Sequence, residues 1–309
     1  MISCIFCLIF LGGIILFFGQ TNYVRHDRKL SVVCTTGIVA DAVKNVGGDL
    51  VDVYALMGPG VDPHVYHARE SDVQRLVSAD IIFYNGLHLE GKMGQLFDRM
   101  SQQVPVCAVT DGIDRSLLRQ SQFAGAYDPH VWFDVTLWMD CVKKIRDCLI
   151  HRDPVHTKEY SKNTELFLKK LQELDASIRE KVALLPKNHR VLITAHDAFS
   201  YFGRAYGFDI ISLQGISTDS EVGVGDIMRV VDYIVAHGVP AIFVEASIPQ
   251  RNVEAVQNAV RAQGKKVILG PTLYADALGE VGTIQETYLG MVRSVVESIV
   301  ATLQGKDGV

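Results

Sequence analysis

Three histidines stand in settings that suit a metal ligand. His64 closes Gly58-Pro59-Gly60-Val61-Asp62-Pro63-His64, His130 lies in Tyr127-Asp128-Pro129-His130-Val131-Trp132, and His196 follows the apolar run Val191-Leu192-Ile193-Thr194-Ala195. Neutral imidazole is the commonest protein ligand for zinc and its neighbours. The tripeptide Asp-Pro-His occurs twice, once after a predicted strand and once before a predicted helix. Proline fixes its own φ and biases the residue before it towards extended backbone, so such a turn aims the following imidazole in a set direction. His196 leaves the carboxyl end of a strand, where open α/β sheets bind ligands. One histidine of this kind is ordinarily structural, but three, each in a loop at the edge of an α/β unit, point to a shared ion. A carboxylate would help to offset the ion's charge. Asp276, in Leu273-Tyr274-Ala275-Asp276-Ala277-Leu278-Gly279, is a candidate, as are Asp197 and Asp219.

The elements that must position these residues alternate. β-Branched runs at Leu30–Thr36, Leu50–Met57, Asp80–Asn85 and Val104–Val109 read as strands, with helices at Val39–Val46, Glu70–Val77 and Lys92–Ser101 between them. The scheme repeats with strands at Arg190–Thr194, Asp209–Leu213, Ala241–Val244 and Lys266–Leu269, and a long last helix over Ile284–Leu303. This alternation predicts an α/β protein of parallel sheets covered by helices. Between the halves, Tyr160, Phe167, Leu171, Leu174, Ile178 and Val182 recur at helical spacing, and no Pro or Gly follows Pro154 until Pro186. One helix of about 30 residues would be about 45 Å long, enough to join two lobes. A break near Asn163 would give two shorter helices instead.

A chain of 309 residues has room for a sizeable core split between lobes, and a net charge of -5 argues against binding nucleic acid, which needs a basic face. Met1 to Phe18 is uncharged and almost wholly apolar, and its basic flank, Arg25, Arg28 and Lys29, follows rather than precedes it. It reads as an export signal or an uncleaved anchor. Cys4 and Cys7 fall inside that leader. Cys141 and Cys148 share a predicted helix, about 10 Å apart and beyond disulfide reach. Cys34, Cys107, Cys141 and Cys148 are therefore expected to be buried, inert thiols. The chain contains no H-E-x-x-H, G-x-S-x-G or G-x-x-x-x-G-K-[ST], and Gly223 and Gly225 supply only G-x-G, so no enzyme signature emerges.

Six motifs in order carry a resemblance: Met57-Gly58-Pro59-Gly60-Val61-Asp62-Pro63-His64, Asn85-Gly86-Leu87-His88-Leu89-Glu90, Asp128-Pro129-His130-Val131-Trp132-Phe133-Asp134, Thr194-Ala195-His196-Asp197-Ala198-Phe199, Leu213-Gln214-Gly215-Ile216-Ser217-Thr218 and Tyr274-Ala275-Asp276-Ala277-Leu278-Gly279. Together they resemble the metal-binding solute-binding proteins of bacterial ABC transporters, the TroA-like (zinc/manganese) family, over nearly all of Leu30 to Leu303. The resemblance implies His64, His130, His196 and Asp276 as ligands of one ion per chain, zinc or manganese, with iron as a further candidate. Manganese-selective members of the family place Glu where His196 stands, which favours zinc here. It also implies two α/β lobes joined by one long helix, with the metal in the cleft between them. On that plan residues 1–29 form a signal peptide or membrane anchor, 30–153 the N-terminal metal-binding lobe, 154–186 the linking helix and 187–309 the C-terminal metal-binding lobe. The partner is a membrane permease, the location periplasmic or extracytoplasmic at the membrane, and the chain a monomer and not an enzyme. A surface adhesin and a metal-dependent hydrolase are the competing readings. The family pattern does not use His67, and it makes His88 structural. His26, His151, His156, His189 and His237 sit among polar residues and are expected to be exposed. Glu245 is a candidate for a buried carboxylate that supports the site or a contact between lobes.

Overall fold

The computed structural model describes residues 28–121 and 126–305. The expected leader, with Cys4, Cys7 and His26, lies outside the described residues except for Arg28 and Lys29.

The first lobe is a parallel sheet of β1 (Leu30–Cys34), β2 (Val51–Ala55), β3 (Ile81–Tyr84) and β4 (Val106–Ala108), in the order β2-β1-β3-β4. Its crossovers carry α1 (Gly37–Gly47), α2 (Glu70–Ser78) and α3 (Gly94–Met100). The strands are runs such as Leu-Ser-Val-Val-Cys and Ile-Ile-Phe-Tyr, buried on both faces as parallel strands under helices must be. Strand order reverses between β1 and β3, so the crevice of this sheet opens at their carboxyl ends. The second lobe pairs β5 (Val191–Thr194) with β6 (Asp209–Ser212) and β7 (Ala241–Glu245) with β8 (Ile268–Leu273), all parallel. β5 lies beside β7, and the lobe is covered by α6 (Ser200–Tyr206), α7 (Val224–His237), α8 (Arg251–Ala262) and α9 (Tyr288–Leu303).

α4 (Val135–Arg152) leads into α5 (Thr157–Ala183), a single unbroken helix of 27 residues and so about 40 Å long. No break occurs at Asn163, whose side chain instead donates to the Val46 carbonyl of α1 (3.1 Å). α5 does not bridge the lobes through solvent. Tyr160, Phe167, Leu171, Leu174, Ile178 and Val182 are buried in one hydrophobic core with residues of β1, α1, α4, α6 and α9. The two lobes therefore share a core along the length of α5, while smaller clusters fill the outer side of each sheet.

Three expectations need correction. Cys107 and Cys148 are joined by a disulfide between β4 and α4, across a sequence separation of 41, while Cys34 and Cys141 are the buried free thiols. Spacing along one helix excluded Cys141 as a partner for Cys148 but was blind to a partner on a strand. Closing a loop of this length contributes about 4 kcal/mol by the chain-entropy argument. The last helix begins at Tyr288, not Ile284, because Thr287 is extended and its side chain caps the Gly290 amide. A Cβ at Gly290 would meet the Ile284 carbonyl oxygen at 1.8 Å, so the turn before α9 fits only over glycine. His156 is half-buried rather than exposed, its Nδ1 held 2.7 Å from Asp153.

Because α5 is a pillar of the shared core, Leu171→Ala, at a fully buried position, should lower the unfolding free energy by about 2–5 kcal/mol. Urea unfolding checks this. A loss below about 1 kcal/mol would mean that α5 is not a core element.

Candidate metal centre

The residues of the centre lie on segments that follow strands, close to the strand ends in the second lobe and on longer loops in the first. His64 follows β2, His130 follows β4, His196 follows β5 by two residues, Glu245 ends β7 and Asp276 follows β8 by three. Both sheets point these ends into the cleft. His64, His130, His196 and Asp276 are all buried, and one ligating atom from each lies within 4.8 Å of the other three. Asp197 and Asp219 are not in this cluster. Asp219 is exposed and pairs with Lys92 across the lobes (2.8 Å). His67, His88, His151, His189 and His237 are exposed and lie outside it too.

The distances fit one small cation. His64 Nε2 is 3.2 Å from His130 Nε2, and His196 Nε2 is 3.1 Å from Asp276 Oδ2. His130 Nε2 is 3.5 Å from Asp276 Oδ1, and His64 Nε2 is 3.9 Å from Asp276 Oδ2. Metal–ligand bonds of about 2.0–2.1 Å in a tetrahedron require ligand atoms about 3.3–3.4 Å apart. Both Asp276 oxygens and His196 Nε2 are buried without a hydrogen bond of acceptable geometry. Buried polar atoms are normally satisfied, so orphans aimed at a common point mark a place for a ligand.

The two Asp-Pro-His turns use the same device, which the sequence reading had credited to proline alone. Asp62 Oδ1 accepts the His64 amide (2.9 Å) and Asp128 Oδ1 accepts the His130 amide (3.0 Å), each an Asx turn of two residues. Beyond that they diverge. Asp128 Oδ1 also sits 2.7 Å from His130 Nδ1, while Asp62 Oδ2 accepts Thr218 Oγ1 of the other lobe (2.6 Å). Glu245 stands beside His196 as Asp128 does beside His130, although its ring contact is an ion pair at close distance and not an aligned hydrogen bond. Its Oε1 accepts the His196 amide (2.9 Å), and its Oε2 lies 2.6 Å from His196 Nδ1. A carboxylate at Nδ1 favours the hydrogen there, which leaves Nε2 as the nitrogen that faces the cleft. His64 has no such carboxylate among the described residues. Asp128 was missed as a functional residue, although its position two residues before a histidine was a usable signal. Glu245 was only a candidate, because its partner lies far off in sequence.

Two remaining motifs are scaffolding. Glu90 accepts Thr35 Oγ1 (2.6 Å) and the amides of Asn85 (2.8 Å) and Gly86 (3.2 Å). This holds a turn in which Gly86, Leu87 and His88 all have positive φ, a strain of about 1–3 kcal/mol at each of the latter two. The turn brings Asn85 Nδ2 to the Pro129 carbonyl (3.0 Å), next to His130. In the other lobe Gln214 donates from its amide to Ala195 (2.9 Å) and Asp197 to Gly215 (3.3 Å), which steadies the loop at His196. Trp132 crosses the cleft, donating from Nε1 to the Ala275 carbonyl beside Asp276 (3.0 Å). Asp128 also borders a polar cleft of about 780 Å³ that includes Arg119, Asp197, Gln214 and Ser217.

Electrostatics prepare the donors differently. Burial lowers the His64 pKa to about 3, so this ligand is neutral at physiological pH. Burial also opposes charge on His196, but Glu245 and Asp276 outweigh it and raise its pKa well above the ordinary value. Asp276 is likewise opposed by burial yet held well below the carboxylate range by the three histidines, His196 foremost. Without metal, His196 and Asp276 form a buried ion pair, and an incoming cation must displace the His196 proton.

The chain matches the family model described as zinc-uptake complex component A, periplasmic, over residues 32–302. It is 45% identical over 301 residues to the zinc-binding protein TroA of Treponema pallidum, covering 97% of each chain. It is 41% identical to the manganese-binding lipoprotein MntA of Bacillus subtilis, covering 90% of this chain and 91% of that one. The iron-binding protein YfeA of Yersinia pestis is 31% identical over 91% of this chain and 88% of its own. The solved structure of the periplasmic zinc-binding protein TroA superimposes with a TM-score of 0.87, at 46% identity over 89% of this chain and 99% of that one.

Two outcomes follow for metal titration. Glu245→Gln keeps the shape but loses the charge at His196 Nδ1, and should weaken binding about 10–100-fold; calorimetry giving unchanged affinity would remove Glu245 from the site. His196, with its raised pKa, holds its proton through the neutral range. The ion pair thus stabilises the metal-free fold fully below about 6.5, the ordinary histidine value, and is lost as pH rises through the raised value. Metal competes for the same nitrogen, so affinity should rise with pH, about tenfold per unit, with about one proton released per ion. Calorimetry in buffers of different ionisation enthalpy measures that proton, and a count of zero at pH 7 would contradict it.

Proposed function

Because this chain belongs to the family of the periplasmic component A of zinc-uptake complexes, we propose that it takes one divalent transition-metal ion onto His64, His130, His196 and Asp276 and delivers it to the membrane permease of an ABC transporter. The observation that carries this reading is the convergence of four buried donors from two lobes on one point, with both Asp276 oxygens and His196 Nε2 left without a hydrogen bond. The donors divide evenly. His64 and His130 come from the lobe we place at 30–153, His196 and Asp276 from the lobe at 187–309.

The chain acts as a carrier and not as an enzyme. Four protein donors fill a tetrahedral shell, whereas catalytic zinc keeps a position open for water or substrate. Three imidazoles and one carboxylate are softer than the oxygen cages of calcium or magnesium. Among first-row divalent ions intrinsic affinity lies higher for zinc than for manganese. Both Asp276 oxygens approach neighbouring donors, so a fifth bond is within reach for manganese. Relatives named for zinc, manganese and iron span the same range.

The protein works outside the cytoplasm, where the Cys107–Cys148 disulfide would persist. The names of the relatives, periplasmic and lipoprotein, agree with this location. Among the described residues no helix is long and apolar enough to cross a membrane, and we assign export or tethering to the apolar run Met1 to Phe18. One chain supplies the whole site, so the carrier is a monomer. The shared core along α5 favours small lobe movements on release.

Titration of metal-free protein with zinc should saturate at about one ion per chain, and zinc should displace manganese at equal free concentration, as the intrinsic affinity order requires. His130→Ala should abolish tight binding of both. Unchanged zinc affinity in that variant would overturn the site, and displacement of zinc by manganese would overturn the ranking.

A further inference from the structure

We infer that the Cys107–Cys148 disulfide is a positioning element of the metal centre, acting through α4 to set how firmly His130 is held. The inference rests on the reading of His130 as a ligand. The bond closes a ring whose far side carries both His130 and its orienting carboxylate, Asp128. Between β4 and α4, residues 109–134, this ring has no α-helix or strand among its described residues. It runs through 3-10 turns and one isolated bridge, Gln120 to Tyr127. The most irregular stretch of the N-terminal lobe thus presents a ligand that needs fixed geometry.

The two ends of the ring are regular. Cys107 lies in β4, in register with Phe83 of β3, so it is tied to the central sheet. Cys148 lies in the last turns of α4, whose first residue, Val135, comes five after His130. α4 is a lever with the ligand at its amino end and the disulfide about 20 Å along its axis. Its inward face, Trp138, Cys141, Val142, Ile145 and Leu149, is fully buried, so a shift at one end is passed along a rigid body. Near the bond, Arg152 also ties α4 to the sheet, through the Asp80 carbonyl (3.0 Å) and side chain (3.3 Å). Cys148 is partly exposed, in an open groove with Lys144, Asp147 and His151, so reagents can reach it.

The test compares the wild-type chain with the Cys107→Ser/Cys148→Ser double variant, which leaves no new thiols to bind metal. Zinc dissociation is followed by transfer to a chromophoric chelator well below the melting temperature. Visible absorption of the cobalt(II) form reports coordination geometry. The variant should release zinc about tenfold faster, the lower end of what loss of outer support costs a metal site, with an altered cobalt spectrum. If the double variant does not fold, phosphine reduction of the native protein should give the same acceleration, and reoxidation should reverse it. A lower melting temperature with unchanged release rate and cobalt spectrum would make the disulfide structural only and overturn the inference. A wild-type chain that binds no metal would instead overturn the proposed function.

Discussion

Bringing three imidazoles and a carboxylate to one water-poor point is costly for a polypeptide by itself. Each donor loses its hydration, and polar groups buried without partners cost free energy that packing must supply. The chain meets this in part by pairing His196 with Asp276 and by backing two imidazoles with carboxylates. His64, which lacks such a carboxylate among the described residues, sets its Nε2 3.2 Å from that of His130, close to the spacing a shared cation requires. Much of the architecture serves this constraint, because donors that repel or strand one another must be held by something stiffer than a loop.

The stiffness comes from outside the cleft. In the second lobe strands deliver His196 and Asp276 near their carboxyl ends, and a core shared along α5 packs the two lobes together. Contacts that cross between lobes then act near three of the four donors. Trp132 reaches the carbonyl next to Asp276, and Tyr201 donates from its hydroxyl to the Asp128 carbonyl (2.9 Å). Thr218 holds the carboxylate that caps His64. His64, His130 and Asp276 are thus each tied to the opposite lobe, so lobe position and donor geometry are coupled.

Much of this was legible in the residues. β-Branched runs and the helical spacing of Tyr160 to Val182 located the strands and the linking helix, because parallel strands and an amphipathic helix write their burial directly into local pattern. The three histidines announced themselves through local turns, and the structure brings them together with Asp276. What stayed hidden depends on contacts between distant segments. Asp276 could not be separated from Asp197 or Asp219 by local context, since each is an aspartate near the end of a predicted element. Glu245 acts on a histidine 49 positions away. Cys107 finds Cys148 only once β4 lies at the edge of the sheet beside α4. The late start of the last helix, at Tyr288, goes with a carbonyl packed over Gly290, which periodicity does not record.

Both tryptophans of the chain, Trp132 and Trp138, lie in the segment that leads from His130 into α4. The Trp132 ring stands edge-on to the His130 ring at 5.3 Å, and its N–H is committed to a carbonyl of the opposite lobe. Indole emission responds to nearby charge and to hydrogen bonding at its nitrogen. Trp132 thus places an intrinsic optical gauge at the seam between the lobes, sensitive to charge at His130 and to lobe registration without any added label.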